Sequence, residues 1–290
     1  MRSTGRSAVI VGLVAGLSLA AGCAVSPPSI PSAHASASPS TETPARATPS
    51  ASTSARPSPS PLQSPATSGD SLAGRTIVID PGHTGAWTSS WGYRKVPDGR
   101  GKTKACNSSG TATRGGYSEH AYNLAQADAL AAVLRQRGAT VLMTRTNDTT
   151  RSNSLCVNHR ADLLNQRKAD LMISLHADGN VGASHRGFHV IVSTVMHGGS
   201  AVIAKSKLLA ADVRDALQAH TAMPRSNYIG GGTGFSFRSD LGTLNFAERP
   251  AVLVEMGNMM NATDARMFTS SAWRKTAAVA LADGIGKYLG

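Results

Sequence analysis

The stretch Thr76-Ile-Val-Ile-Asp-Pro-Gly-His83 does most to decide the fold class of this chain. Its apolar run is uninterrupted, which is typical of a short strand buried on both faces of a sheet, and the Pro-Gly pair ends it. The same arrangement returns in Asp170-Leu-Met-Ile-Ser-Leu-His176-Ala-Asp178 and in Pro250-Ala-Val-Leu-Val-Glu255-Met-Gly-Asn258. In all three stretches, polar side chains follow the apolar run directly. We therefore predict three buried strands that carry functional side chains at their carboxyl ends.

Segments with helical spacing lie between these strands. Ser118 can cap a helix that Gly138 ends. Further helices are predicted over 155–169, 201–220 and 273–285, and further strands over 139–146 and 187–193. This alternation predicts an α/β fold, a single domain in which a mostly parallel twisted sheet is flanked by helices on both faces.

The first 70 residues differ sharply in composition from the rest of the chain. Residues 24–70 contain ten of the fourteen prolines, whereas all thirteen aromatic residues follow residue 70. In the same segment, 37 of 47 residues are Pro, Ser, Thr or Ala. So few apolar side chains cannot offset the entropy cost of ordering, and we predict a disordered linker over 24–70. We predict that residues 71–290 form the folded domain. A length of 220 residues is normal for one domain and argues against a two-domain enzyme.

The amino terminus has the features of an export signal. Arg2 and Arg6 precede the apolar run 8–21, which is too short to span a bilayer comfortably and predicts a signal peptide over 1–22. The small residues before Cys23 resemble a bacterial lipobox, so we expect Cys23 to be acylated and to anchor the protein at the outer face of the cytoplasmic membrane. Ordinary cleavage near Ala35, with secretion into the cell wall, and a retained single-span anchor remain open.

The chain carries a formal net charge of +12, of which +10 falls in residues 71–290. A basic surface attracts anionic polymers, and nucleic acid is the usual example. An exported protein does not meet nucleic acid, so anionic cell-wall polymers are the more suitable partners. We expect the protein to act as a monomer.

Two cysteines remain once Cys23 is assigned to a lipid. Cys106 and Cys156 form an even pair in an oxidising compartment, and neither belongs to a CxxC motif. A disulfide between them is the favoured prediction, and free thiols or thiolate metal ligands are the alternatives.

Four polar side chains are predicted to meet at one edge of the sheet. His83, His176 and Glu255 end the three buried strands, and Glu119 opens the first helix. Two imidazoles and a carboxylate are the ligand set of a catalytic zinc ion, and a further carboxylate could act as general base. Taken singly each signal is weak, because a loop histidine is usually solvated and a helix start favours Glu119 without any function.

Together these segments resemble the zinc-dependent N-acetylmuramoyl-L-alanine amidases, which cut bacterial peptidoglycan. The resemblance extends from about residue 75 to 289 and includes Asn261 and Asp264 near its end. It implies that a zinc ion is held by His83, Glu119 and His176, that Glu255 is the catalytic glutamate, and that the amide between N-acetylmuramic acid and L-alanine is cleaved. Asp80 is predicted either to orient His83 or to bind the Pro-Gly turn.

The chain departs from the family pattern at a few positions. Thr84 replaces a glycine, Asp178 replaces an asparagine, and Asn258-Met259-Met260 replaces a Gly-Phe stretch, but no ligand is lost. The long loop 84–116 carries aromatic and basic residues that either bind wall sugars and polymers or form a solvated loop held by Cys106. A zinc carboxypeptidase acting on the stem peptide and a non-catalytic wall-binding lipoprotein are the alternative functions.

Overall fold

The computed structural model describes residues 71–149 and 156–290. The predicted signal peptide 1–22, the acylated Cys23 and the linker 24–70 lie outside the described residues. Within the described part of the chain, we find no helix whose length and apolar character would let it cross a membrane.

Eight strands and seven α-helices follow one another along the described residues. The strands are β1 (Thr76–Pro81), β2 (Lys95–Pro97), β3 (Thr103–Ala105), β4 (Thr140–Met143), β5 (Leu171–Asp178), β6 (His189–Ser193), β7 (Phe235–Arg238) and β8 (Ala251–Asn258). The helices are α1 (Ser89–Gly92), α2 (Glu119–Gln136), α3 (Asp162–Gln166), α4 (Gly199–His220), α5 (Gly242–Asn245), α6 (Ala262–Thr269) and α7 (Ser271–Leu289).

Six of the strands form the central sheet, in the order β4-β1-β5-β8-β6-β7. Neighbouring strands are parallel except for β6 and β8, which run antiparallel. The prediction of a mostly parallel α/β sheet is therefore confirmed. The strands with uninterrupted apolar runs, β1, β5 and β8, lie in the interior of the sheet, where both of their faces are buried.

Three long helices cover one face of the sheet. Helix α2 packs on β1 and β5, α4 packs on β6 and β8, and α7 packs on α2 and α4. Ile77, Ile173 and Val254 point into the core beneath these helices and are fully buried. Each such side chain contributes roughly 1.5–3 kcal/mol by leaving water. This face therefore anchors the sheet from which the functional residues project.

The opposite face, which we call the cleft face, has a thinner cover. Val78, Met172 and Leu253 point toward it. The short helices α3 and α5, of five and four residues, pack on this face against β1, β6 and β8. Such short helices leave part of the face open, and a cavity remains beside the carboxyl ends of β1 and β5.

The structure corrects two of the predicted elements. The helix predicted over 155–169 is reduced to α3, because turns occupy the residues just before it and the backbone N–H of Val157 donates to the carbonyl of Cys106. The strand predicted over 139–146 ends at Met143, because Thr144 turns its hydroxyl toward Asp80. In both places, a long-range contact overrides the local pattern.

Cys106 and Cys156 form the predicted disulfide, with their Cα atoms 4.4 Å apart. Trp91 packs against Cys106 and Cys156 in a small separate cluster. Trp87 packs on the same cluster and forms an edge-to-face contact with Tyr93. Two of the three aromatic residues of the loop are therefore engaged in holding it, whereas Tyr93 remains 64% exposed.

Candidate active site

His83 lies two residues after the end of β1 and adopts a left-handed backbone conformation, with φ at 57°. This conformation costs a non-glycine residue roughly 1–2 kcal/mol, so contacts around it must hold it in place. Two buried arginines supply these contacts. Arg145 donates to the carbonyl oxygens of Pro81 and Gly82. Arg160 donates to those of Pro81 and His83. Three consecutive carbonyl groups are thus bound by guanidinium groups, which fixes the direction of the histidine.

Glu119 is the first residue of α2, where unpaired backbone N–H groups favour an anionic side chain. Its Oε2 accepts a hydrogen bond of 3.0 Å from the backbone of Thr111. Its Oε1 accepts one of 3.2 Å from the backbone of Ala177 in β5. The carboxylate is therefore held between the loop that precedes α2 and the carboxyl end of β5.

The three predicted ligands converge on one point. Oε1 of Glu119 lies 3.2 Å from Nε2 of His83 and 2.9 Å from Nδ1 of His176. The three candidate ligand atoms lie within 4.8 Å of one another, and the group could hold a metal ion. Burial alone would raise the pKa of Glu119, but the charge of His83 and hydrogen bonds from both imidazoles outweigh it and hold that pKa well below its usual range.

A loop contact, not Asp80, orients the His83 ring. Nδ1 of His83 lies 3.0 Å from the carbonyl oxygen of Ser108. A carbonyl can only accept, so Nδ1 carries a proton, and Nε2 points toward Glu119 and the cluster as the candidate ligand atom. Ser108 follows Cys106 by two residues, and the disulfide thus lies close to the group that sets the tautomer.

Asp80 contacts the cluster only through Arg160. Its oxygens accept hydrogen bonds from Thr144 at 2.5 Å, Arg160 at 2.7 Å and Ser174 at 2.7 Å. Burial opposes its ionisation, but the charge of Arg160 and the two hydroxyl donors outweigh this and lower the pKa of Asp80. The prediction that Asp80 contacts His83 directly does not match these contacts. Asp80 instead positions Arg160, which in turn binds the carbonyl of His83.

Two glycines make room for the ligand side chains. A Cβ on Gly82 would lie 2.2 Å from Cε1 and Nε2 of His176. A Cβ on Gly110 would lie 2.9 Å from Oε2 of Glu119 and 3.0 Å from Cδ2 of His83. The close approach of both glycines therefore has a direct role in assembling the cluster, beyond the turn that the Pro-Gly pair predicts.

Glu255 lies beside the cluster on the cleft face. It is the register partner of His176 between the parallel strands β5 and β8, so both side chains project from the same face about 4.8 Å apart. Its Oε2 is buried and has no hydrogen-bond partner among the residues that the structure describes. Burial, followed by the negative charges of Glu119 and Asp178, holds the pKa of Glu255 well above its usual range. An unpaired carboxyl in this place is suited to proton transfer.

The sequence analysis did not identify the polar groups on the far side of Glu255. His189 is the register partner of Glu255 in β6. It is 3% exposed, and burial lowers its pKa to about 4. Tyr228 lies edge-on to His189 and donates a hydrogen bond of 2.8 Å to Asp178. The position of His189 in a predicted strand was the available signal, but nothing local showed that β6 joins β8.

A cavity of about 250 Å³ lies next to the metal-ligand cluster. Its wall includes His83 and His176 from the cluster, Leu253 from β8, and Lys104 and Ser108 from the loop 84–116. The Nζ of Lys104 donates to the carbonyl of Asp240, which ties the loop to the segment before α5. The cavity is therefore bounded by the sheet on one side and by the disulfide-linked loop on the other.

Comparison with known proteins assigns the chain to a family. The family model described as N-acetylmuramoyl-L-alanine amidase matches residues 77–287, which contain His83, Glu119, His176 and Glu255. The N-acetylmuramoyl-L-alanine amidase Rv3717 of Mycobacterium tuberculosis is 40% identical over 235 residues, covering 79% of this chain and 92% of that protein. Crystal structures of the N-acetylmuramyl-L-alanine amidase Ami1 from Mycobacterium abscessus (apo form) and Mycobacterium smegmatis both match with a TM-score of 0.71, at 42% and 40% identity. Each match covers 76% of this chain, and 100% and 99% of the Ami1 chains. The chain belongs to the N-acetylmuramoyl-L-alanine amidase family.

Proposed function

We propose that this protein is a cell-wall amidase that hydrolyses the amide bond between the lactyl group of N-acetylmuramic acid and the L-alanine of the stem peptide in peptidoglycan. The observation that carries the proposal is the arrangement of an unpaired carboxyl, Glu255, beside a convergent His83–Glu119–His176 cluster. Family membership supports the same reaction class. The proposal requires a metal ion, and the chemistry of the donor atoms indicates which ion they suit.

The donor set fits zinc. Two imidazoles and one carboxylate are typical of catalytic zinc sites, which keep one further position for water or substrate. His83 has its Nδ1 proton held by Ser108, and so Nε2 is free to bind a cation. His83, Glu119 and His176 would hold the ion, since Oε1 of Glu119 lies within 3.2 Å of a ring nitrogen of each histidine. When bound, zinc would polarise the amide carbonyl and lower the pKa of water to near neutrality.

Residues of this chain transfer the proton and position the ligand side chains. Glu255 takes the proton from the attacking water and returns it to the leaving nitrogen of L-alanine. Its position on β8, as the register partner of His176, supports this role. Arg145 and Arg160 keep His83 fixed while the substrate enters. Asp80 keeps Arg160 in place without contacting the reacting atoms.

The amino-terminal predictions extend this proposal to location. We propose that 1–22 is a signal peptide, that Cys23 carries the lipid, and that 24–70 tethers the catalytic domain 71–290 to the outer face of the cytoplasmic membrane. A coil of 47 residues has a root-mean-square span of roughly 40 Å. The basic charge of the domain would hold it near anionic wall polymers. Metabolic labelling with a fatty acid, compared between the wild type and Cys23→Ala, tests the anchor, and equal absence of label in both would overturn it.

Digestion of purified peptidoglycan tests the activity. The wild type should release stem peptides that begin with L-alanine, and Glu255→Ala should release none. Release of a terminal amino acid alone would indicate a carboxypeptidase and overturn the proposal. Tight binding without any product would indicate a wall-binding protein. A chelator should abolish activity and added zinc should restore it, whereas activity that resists chelation would contradict the metal assignment.

A further inference from the structure

His189 is a buried histidine that the proposed mechanism does not use. It lies in β6 directly opposite Glu255, and the two residues are antiparallel register partners. Side chains at partnered positions project from the same face, about 4.5–5.5 Å apart at Cβ. His176, Glu255 and His189 therefore form a row across three adjacent strands of the cleft face. Glu255 occupies the middle of this row.

The hydrogen-bonding state of the His189 ring follows from its surroundings. Nδ1 is buried and has no hydrogen-bond partner in residues 71–149 and 156–290. An unpaired buried N–H costs more than an unpaired buried lone pair, so the proton resides on Nε2. The lowered pKa of His189 keeps the ring neutral at pH 7. No hydrogen bond to Nε2 exists among the described residues, and this atom is not one of the buried unpaired atoms. The Nε2–H is thus a donor on the cleft face that is slightly accessible and has no partner among the described residues.

The order of the row determines which part of the substrate meets this donor. In the proposed reaction the scissile carbonyl lies at the metal-ligand cluster, and the leaving nitrogen must lie beside Glu255 to receive its proton. The L-alanine residue is attached to that nitrogen. It therefore extends from Glu255 away from His176, toward the next strand. His189 is the side chain that stands there, one strand spacing beyond Glu255.

We propose that His189 is a substrate-binding residue whose Nε2–H donates a hydrogen bond to the carbonyl oxygen of the L-alanine residue, on the leaving-group side of the scissile amide. This inference rests on the proposed amidase function and goes beyond it, because it assigns the direction in which the stem peptide crosses the sheet. Tyr228 supports the assignment, since its edge-on contact at 6.4 Å between ring centroids restricts the histidine ring. Tyr228 is itself held by its hydrogen bond to Asp178.

The test uses the full-length zinc-loaded protein and two substrates. One is N-acetylmuramoyl-L-alanyl-D-isoglutamine. In the other, a trans carbon–carbon double bond replaces the amide bond between L-alanine and D-isoglutamine, which removes the L-alanine carbonyl oxygen and keeps the shape of the peptide. The substitution His189→Phe removes the donor and keeps a planar ring, whereas His189→Gln keeps an amide donor. His220→Phe, at the exposed end of α4, is the matched control.

His189→Phe should lower kcat/KM about tenfold on the natural substrate, which corresponds to one lost hydrogen bond. On the alkene substrate, the same variant should differ from the wild type by less than twofold. His189→Gln should recover most of the loss, and His220→Phe should match the wild type on both substrates. Zinc affinity and the melting temperature, measured separately, should be unchanged in His189→Phe.

A readout without turnover completes the test. The metal-free protein should bind the product dipeptide L-alanyl-D-isoglutamine, and His189→Phe should weaken that binding by a similar factor. Equal losses on both substrates would overturn the proposal, because His189 would then act through Glu255 or through packing. No loss on either substrate would also overturn it. If the wild type releases no L-alanine peptides at all, the amidase function itself fails, and the two failures are thus distinguishable.

Discussion

Removal of the Cys106–Cys156 disulfide should destabilise the domain by about 4 kcal/mol. The bond closes a loop with a sequence separation of 50. In the chain-entropy model, a loop of this length removes about 14 cal/mol/K from the unfolded chain, or about 4 kcal/mol at 25 °C. For a domain of this size, the melting temperature should fall by roughly 9 °C. Single domains are stable by only about 5–15 kcal/mol, so this is a large share.

The same perturbation should also weaken metal binding. Cys106 lies two residues before Ser108, whose carbonyl holds the proton of His83. A loop released from its bridge would hold this carbonyl less firmly, and a group that orients a metal ligand commonly contributes 10–100-fold to metal affinity. Loss of stability and loss of affinity are therefore expected together, although the sulfurs are not ligands.

Urea unfolding and zinc competition against a chelator measure the two effects on the double variant Cys106→Ser/Cys156→Ser. Wild type treated with a reductant should match this variant, and the variant itself should be unaffected by the reductant. A change of less than 1 kcal/mol in the free energy of unfolding would refute the loop-closure reasoning. Unchanged zinc affinity would refute the link from the disulfide through Ser108 to His83.

Three further predictions concern the site. Glu255→Gln should lower kcat by about 10²–10⁴-fold while zinc affinity changes by less than threefold, and a parallel loss of zinc in chelator competition would contradict its place outside the cluster. Gly82→Ala should cost about 1–3 kcal/mol in urea unfolding and weaken zinc binding, because its Cβ would meet the His176 ring at 2.2 Å. Gly115→Ala should do neither, because its Cβ would meet only Oγ1 of Thr113, at an ordinary contact distance of 3.9 Å. His189 has a pKa of about 4 when folded and 6.5 as a reference, so its neutral form stabilises the fold fully above pH 6.5 and this stability is lost as the pH falls toward 4. Between pH 7.5 and 4.5 the wild type should lose about 2–3 kcal/mol more than His189→Phe in urea unfolding, and equal losses would contradict the burial argument.

The sequence predicts the interior of the sheet better than its margins. Strands β1, β5 and β8 are recognisable because burial on both faces demands continuous apolar residues. Strand β7 was not predicted. Its residues Phe-Ser-Phe-Arg follow a glycine-rich stretch, and Phe237 is 54% exposed at the edge of the sheet. An edge strand with one exposed side carries too little pattern to be distinguished from a loop.

The polar residues that converge at the candidate site were predictable, but the groups that position them were not. His83, Glu119, His176 and Glu255 each occupy a strand end or helix start, which local patterns locate. The contact from Ser108 to His83 joins residues 25 apart through a loop without a regular pattern. Arg160 resembles a surface arginine in the sequence, yet it is 2% exposed and paired with Asp80. Such contacts arise from tertiary packing, which no periodicity records.

The arginine contacts to the carbonyls of Pro81, Gly82 and His83 have a consequence for the order of folding and metal binding. In many small metalloproteins, the ion itself drives folding, and its removal unfolds the chain. Here Arg145 and Arg160 hold the backbone of the first ligand by their own hydrogen bonds. We therefore expect the backbone around His83 to form without an ion, so that a metal ion can bind after folding. Removal of a bound ion should then abolish activity reversibly while the protein stays folded. The rate of metal rebinding should not be limited by a folding step.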